Sequence, residues 1–191
     1  MKEAPRNIAA SVRARLLAGA QERKEDFNLT LQRYAAERFL FRLGESRHQQ
    51  TFVLKGAMLF ALWGGSLYRP TRDLDLTGYT QNDAGTLIPI VQEICAVSCP
   101  EDGLEFRTET VRAEPIRDEG EYHGFRVRLQ VMLEAARINM QIDIGLGDAI
   151  QPAPTHETMK STAWANPADM PMAAPNTATT TTVTSKMVMP S

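Results

Sequence analysis

The stretch FRVRLQVMLEAARINMQIDI, residues 125–144, decides the architecture. Phe125, Val127, Leu129, Val131 and Leu133 alternate with Arg126, Arg128, Gln130 and Met132, the period of a strand with one buried face. Ile138, Met140, Ile142 and Ile144 alternate with Asn139, Gln141 and Asp143 in the same way. Glu134 to Ala136 separate the two runs as a short turn, so the strands follow one another directly. Asp143 is then the lone acid on the polar face of an otherwise apolar strand.

Upstream, the pattern mixes the two periods. Phe106 to Arg117 reads weakly as a further strand. A helix is expected from a cap at Asn82 or Asp83 to about Cys99, with Pro89 near its first turn and Leu87, Val91 and Ile94 inward. Asn7 to Arg23 carries Ile8, Val12, Leu16 and Leu17 at helical spacing. Asp26 or Asn28 can cap a second helix over Leu29–Leu43 that Gly44 stops. Strands and helices in this mixed order, with the last strands consecutive, predict an α+β domain with a partly antiparallel sheet.

The 191 residues suit one domain, expected over 1–150, with 1–45 as its helical N-terminal part. Beyond Ile150 the composition breaks. Residues 151–191 hold six of the eleven prolines and contain no Leu, Ile, Phe, Tyr or Arg. So little apolar surface does not offset the entropy of ordering, and a disordered tail is expected. The net charge of −2 argues against a general polyanion binder but leaves room for a local basic patch. No window is apolar enough to span a bilayer and the N-terminus lacks a signal-peptide core, which predicts a cytoplasmic protein. Cys95 and Cys99 have no second cluster with which to form a zinc site, and read as buried apolar residues. His48, His123 and His156 do not cluster.

The chemistry concentrates in TFVLKGAMLFALWGGSLYRPTRDLDLTGYT, residues 51–80. In the strand Asp73–Leu76 both carboxylates share one face and Leu74 and Leu76 the other. Like charges so placed repel, and a divalent cation is the usual resolution. The apolar run Ala57–Trp63 reads as a helix whose first amides, after Lys55 and Gly56, can meet a phosphate. Asp73 and Asp75 with Asp143 from a later strand can hold two magnesium ions, which suggests metal-assisted nucleotidyl transfer. Against this stands a plain surface strand facing water, because D-x-D alone is a weak signal. Lys55, Arg69 and Arg72 can neutralise triphosphate or RNA charge, or simply be solvated. Arg126 and Arg128 line an acceptor groove or merely cover the sheet.

The segments LKGAMLF, WGG, RPTRDLDLTGY and QIDIGLGD, together with the N-terminal helices, resemble the AbiEii family of nucleotidyltransferase toxins over roughly residues 7–150. The resemblance implies the nucleotidyltransferase fold, a mixed sheet flanked by helices. It also implies a toxin of a toxin–antitoxin pair that uses a nucleoside triphosphate and magnesium. The transfer would be of a nucleoside monophosphate to an acceptor hydroxyl, which in some relatives is the 3′ end of transfer RNA. The cognate antitoxin is implied as a partner. Matched to the family, Gly56 falls on the glycine of its first motif, Asp73 and Asp75 on its metal pair, and Asp143 on its third acid. Nucleotide contacts are then expected from Lys55, Gly56, Ala57 and Arg72. Ala57 stands where the family commonly has Gly or Ser, keeping an amide but no hydroxyl. No Tyr-Pro element or Ala-Glu-Lys helix follows Ile150, which suggests a truncated or frameshifted member. A catalytically inactive relic or antitoxin-binding module, and a metal-dependent phosphohydrolase, are the alternative functions.

Overall fold

The structure is a computed structural model and describes residues 7–55, 73–80, 83–118 and 121–146. Two helices open it, α1 (Ile8–Arg23) and α2 (Phe27–Glu45). They are followed by β1 (Phe52–Lys55), β2 (Asp73–Gly78), α3 (Ala84–Cys95), β3 (Leu104–Asp118), β4 (Glu121–Leu133) and β5 (Ala136–Leu146). The helix starts lie where side chains can cap them. Asn7, Asp26 and Asp83 accept from the amides of Ala10, Leu29 and Thr86 at 3.0, 2.9 and 2.9 Å.

Three boundaries depart from the sequence reading. Gly44 does not stop α2, which runs to Glu45 and ends at Ser46, whose hydroxyl donates to the Leu43 carbonyl at 2.8 Å. Pro89 lies inside α3 on its exposed side, and α3 ends at Cys95, short of Cys99. In sequence, Lys55 leads into an apolar run expected as a helix, and β1 carries no strand period of its own. Its identity as a strand comes from pairing with β2.

The five strands form one mixed sheet in the order β1-β2-β5-β4-β3, parallel only between β2 and β5. This α+β arrangement is the one expected from the consecutive hairpin strands. Leu133 pairs with Ala136, so the β4–β5 turn has two central residues, and Glu134 takes a left-handed φ of 55° there. At the other end of the hairpin a Cβ on Gly124, φ 136°, would come within 2.0 Å of the Ile144 carbonyl oxygen, so this close strand approach requires glycine.

The alternation sorts the sheet into two faces. Leu74, Leu76, Val127, Leu129, Val131, Ile142 and Ile144 are all buried. They form one core with Val12 and Leu16 of α1, Tyr34 and Phe39 of α2, and Leu87, Val91 and Ile94 of α3. Burial of each such side chain contributes roughly 1.5–3 kcal/mol relative to exposure. The opposite face carries Lys55, Asp73, Asp75, Asp143, Arg126 and Arg128. Gly56, Ala57, Arg72, the expected helix over 57–63 and the tail 151–191 lie outside the described residues.

Candidate active site

Strand register places the acids. Asp75 of β2 pairs with Asp143 of β5 in the parallel ladder, and directly paired residues point to the same side. On the other flank Lys55 of β1 is the antiparallel partner of Asp75. Beyond Asp143, β4 supplies Arg126 and β3 supplies Glu114. One row of ionisable groups therefore crosses all five strands in the order Lys55, Asp75, Asp143, Arg126, Glu114. Asp73 lies two residues before Asp75 and opens the next row, with Gln141 and Arg128. Asp143 is thus on the same face as Asp73 and Asp75.

The electrostatics follow from that register. Adjacent strands are about 4.8 Å apart, so Asp75 and Asp143 face each other across a single strand spacing. Burial first, then repulsion from Asp143 and Asp73, pushes the Asp75 carboxyl above its ordinary value, while Lys55 pulls it down. Asp143 has a partner. The Arg126 guanidinium grips it with two bonds, Nε to Oδ1 at 2.9 Å and Nη2 to Oδ2 at 2.7 Å. The sequence leaves that arginine between an acceptor groove and a cover for the sheet, and its position opposite the third acid on a paired strand is the signal that finds its partner.

The donor set suits a hard divalent cation. Carboxylate oxygens are the ligands such ions take, and Asp75 carries like-charge repulsion that a cation would relieve. As they stand, no three acids among the described residues are grouped tightly enough to hold a metal. Full use of Asp143 as a ligand would require Arg126 to share it or let go.

Comparison with known families decides the identity. Residues 38–183 match the sequence model described as nucleotidyl transferase AbiEii toxin of a type IV toxin–antitoxin system. The chain belongs to the AbiEii family. No curated protein sequence matches it at a significant level. AbiEii proteins are nucleotidyltransferase toxins, with a nucleotide substrate and an antitoxin partner at the family level. The AbiEii match begins within α2 and covers all five strands. It also continues past Ile150 into the segment that composition sets apart. No helix among the described residues is long and apolar enough to cross a membrane.

A second ionic cluster lies away from this face, and the sequence reading missed it. Asp102, fully buried, accepts from Arg38 Nε at 3.1 Å and from Arg42 Nη1 at 2.6 Å. Its backbone carbonyl accepts from the Tyr34 hydroxyl at 3.0 Å. Arg38 Nη2 also lies 2.7 Å from the Cys99 sulfur. Burial pushes the Cys99 thiol up to about 11 and the Cys95 thiol up to about 12, so both stay protonated and unreactive at neutral pH. Both cysteines are free and buried, as expected.

Proposed function

We propose that the polar face of the sheet transfers a nucleoside monophosphate from a nucleoside triphosphate to an acceptor hydroxyl, with release of pyrophosphate. The observation that carries the reading is the register pairing of Asp75 with Asp143, with Asp73 on the same face two residues away. Asp73, Asp75 and Asp143 would hold magnesium, which supplies charge neutralisation of the phosphates and lowers the pKa of the acceptor hydroxyl. Lys55, beside Asp75, offers a further positive charge to the triphosphate. Gly56, Ala57 and Arg72 extend the nucleotide contacts in sequence. Asp143 assists removal of the hydroxyl proton, and the oxygen so freed attacks the α-phosphorus. The acceptor we favour is RNA, with transfer RNA first among those to be tried, in the cytoplasm.

A second reading has a specific observation behind it. Arg126 already occupies both oxygens of Asp143, as it would in a chain that kept the fold as an antitoxin-binding module without catalysis. The two readings separate in a transfer assay with radiolabelled nucleoside triphosphates, magnesium and transfer RNA or total RNA. The expected result is label on RNA, lowered by about 10²–10³-fold in Asp75→Ala. Absence of label from every acceptor tried would favour the binding module. Release of inorganic phosphate or a monophosphate without labelled acceptor would indicate a phosphohydrolase.

A further inference from the structure

We infer that the cleft beside Asp73 is a nucleoside subsite and that the carboxamides of Gln130, Asn139 and Gln141 select its base. The cleft has a volume of about 400 Å³, and its lining includes Asp73, Arg128, Gln130, Asn139, Gln141 and, from α2, Gln32. Its size falls in the range of small-ligand sites, roughly 300–1,000 Å³. The inference rests on the reading that the neighbouring acids hold the phosphates.

Register puts the carboxamides together. Gln141 shares a row with Asp73 and Arg128, and Asn139 pairs with Gln130 in the next row along β4 and β5. All three therefore rise from the polar face, on the side of Asp73 away from Lys55 and Asp75. Among the described residues none of these three side chains, nor that of Gln32, makes a hydrogen bond within the protein. Four carboxamides with donors and acceptors left for a ligand therefore line one cleft.

Their chemistry points to a heterocycle. A carboxamide presents one acceptor and two donors held in a plane, and asparagine and glutamine can grip the edge of a base with two bonds at once. Leu129 and Met140 in the same lining add an apolar surface for the face of a ring, and Arg128 adds a cation at the end toward the acids. Here the ionic row and the amide cluster adjoin, which divides the face into a part for phosphate and metal and a part for the base. The nucleoside can belong to the donor triphosphate or to the terminal nucleotide of the acceptor. Both present the same base and ribose to the cleft.

Equilibrium binding to the full chain in magnesium tests the proposal and tells the two sources apart. The probes are the four ribonucleoside triphosphates, inorganic tripolyphosphate as the base-free control, and dinucleotides with a free 3′ hydroxyl. If the donor's base sits in the cleft, at least one triphosphate binds about 10-fold tighter than tripolyphosphate. Gln141→Ala and Asn139→Ala each then reduce that preference by about 3–10-fold, the loss expected for one neutral hydrogen bond, with tripolyphosphate binding unchanged. If the acceptor's end sits there, the same variants weaken dinucleotide binding instead. Asn139 is exposed, so its truncation leaves the fold intact. The proposal is overturned if the native protein binds none of the base-bearing probes better than tripolyphosphate. It is overturned equally if neither variant changes triphosphate or dinucleotide binding, or if tripolyphosphate weakens in parallel. Failure of the transferase reading looks different. Base-selective binding then survives, but Asp75→Ala leaves tripolyphosphate affinity unchanged and no label reaches an acceptor.

Discussion

Two arginine–aspartate clusters in this molecule use the same forked chemistry in opposite surroundings. Asp102 is sealed beneath the helices with Arg38 and Arg42, at 0%, 3% and 3% exposure. Asp143 sits on the open face with Arg126, their side chains 22% and 37% exposed. In the first, water cannot replace a lost partner, so the cluster is permanent structure. In the second, water screens the pair and can take over its bonds, so the acid remains available for exchange. Solvent access, and not the residue types, separates an ion pair that holds the fold from one that can open for a ligand.

The comparison breaks most visibly at Asp102. Asp102→Ala leaves two buried guanidiniums without their counter-ion, and is expected to lower stability by about 3–5 kcal/mol in denaturant titration. A loss below about 1 kcal/mol would mean that water reaches the cluster after all. Asp143→Asn should do the reverse. Its stability is expected within about 1 kcal/mol of the parent, because the pair is partly solvated. Nucleotide transfer under the proposed chemistry should fall by about 10²–10³-fold. Comparable losses of stability at the two positions would erase the distinction.

Glu37 sharpens it, as an acid shielded from solvent yet given no fork. The residue as a whole is half-buried, but its Oε2 is inaccessible and finds no hydrogen-bond partner among the described residues. Burial pushes its carboxyl from the ordinary 4.5 up to about 7, against the pull of Arg33, Arg38 and Arg23. The folded chain therefore keeps this proton over a range where the unfolded chain has released it. Stability from this group is fully present below pH 4.5 and is lost as the pH rises to about 7. Unfolding measured at pH 5 and pH 8 should show that loss, on the order of 1–3 kcal/mol, and Glu37→Gln should flatten it. An unchanged slope in the variant would move the titration to another group.

The smallest effect tests the hairpin that carries Arg126 and Asp143 on its two strands. Glu134 holds a left-handed φ of 55° in the turn, and its contact with Arg13 is an exposed 4.0 Å pair of little value. Glu134→Gly is expected to raise stability by about 0.5–1 kcal/mol, read as a higher thermal midpoint, with transfer unchanged. A fall would show that the Arg13 contact outweighs the backbone strain.

Much of this was legible in the chain. Period-two alternation identified the DLDL strand and the β4–β5 hairpin, and with them the shared face of Asp73 and Asp75. Polar caps located the starts of the second and third helices, at Asp26 and Asp83, while the cap at Asn7 emerged only from the structure. The Asp102 cluster was not legible, because Arg38 and Arg42 look like solvated helix residues until Asp102 is seen to lie against them. The pairing of Arg126 with Asp143 was not legible either, since nothing local says that its strand lies beside the one carrying Asp143. β1 was missed because four residues followed by an apolar run carry too little periodicity to declare a strand.

By itself, then, the sequence determined which side chains share a face within each strand and helix, since a local backbone period is enough to align them. Only the tertiary structure decided which strands are neighbours. The β2–β5 pairing spans more than sixty residues, and its register sets Asp75 against Asp143 and, through β4, Arg126 beside them. Long-range register is chosen by burial of the whole apolar face at once, and no local stretch of the chain contains that information.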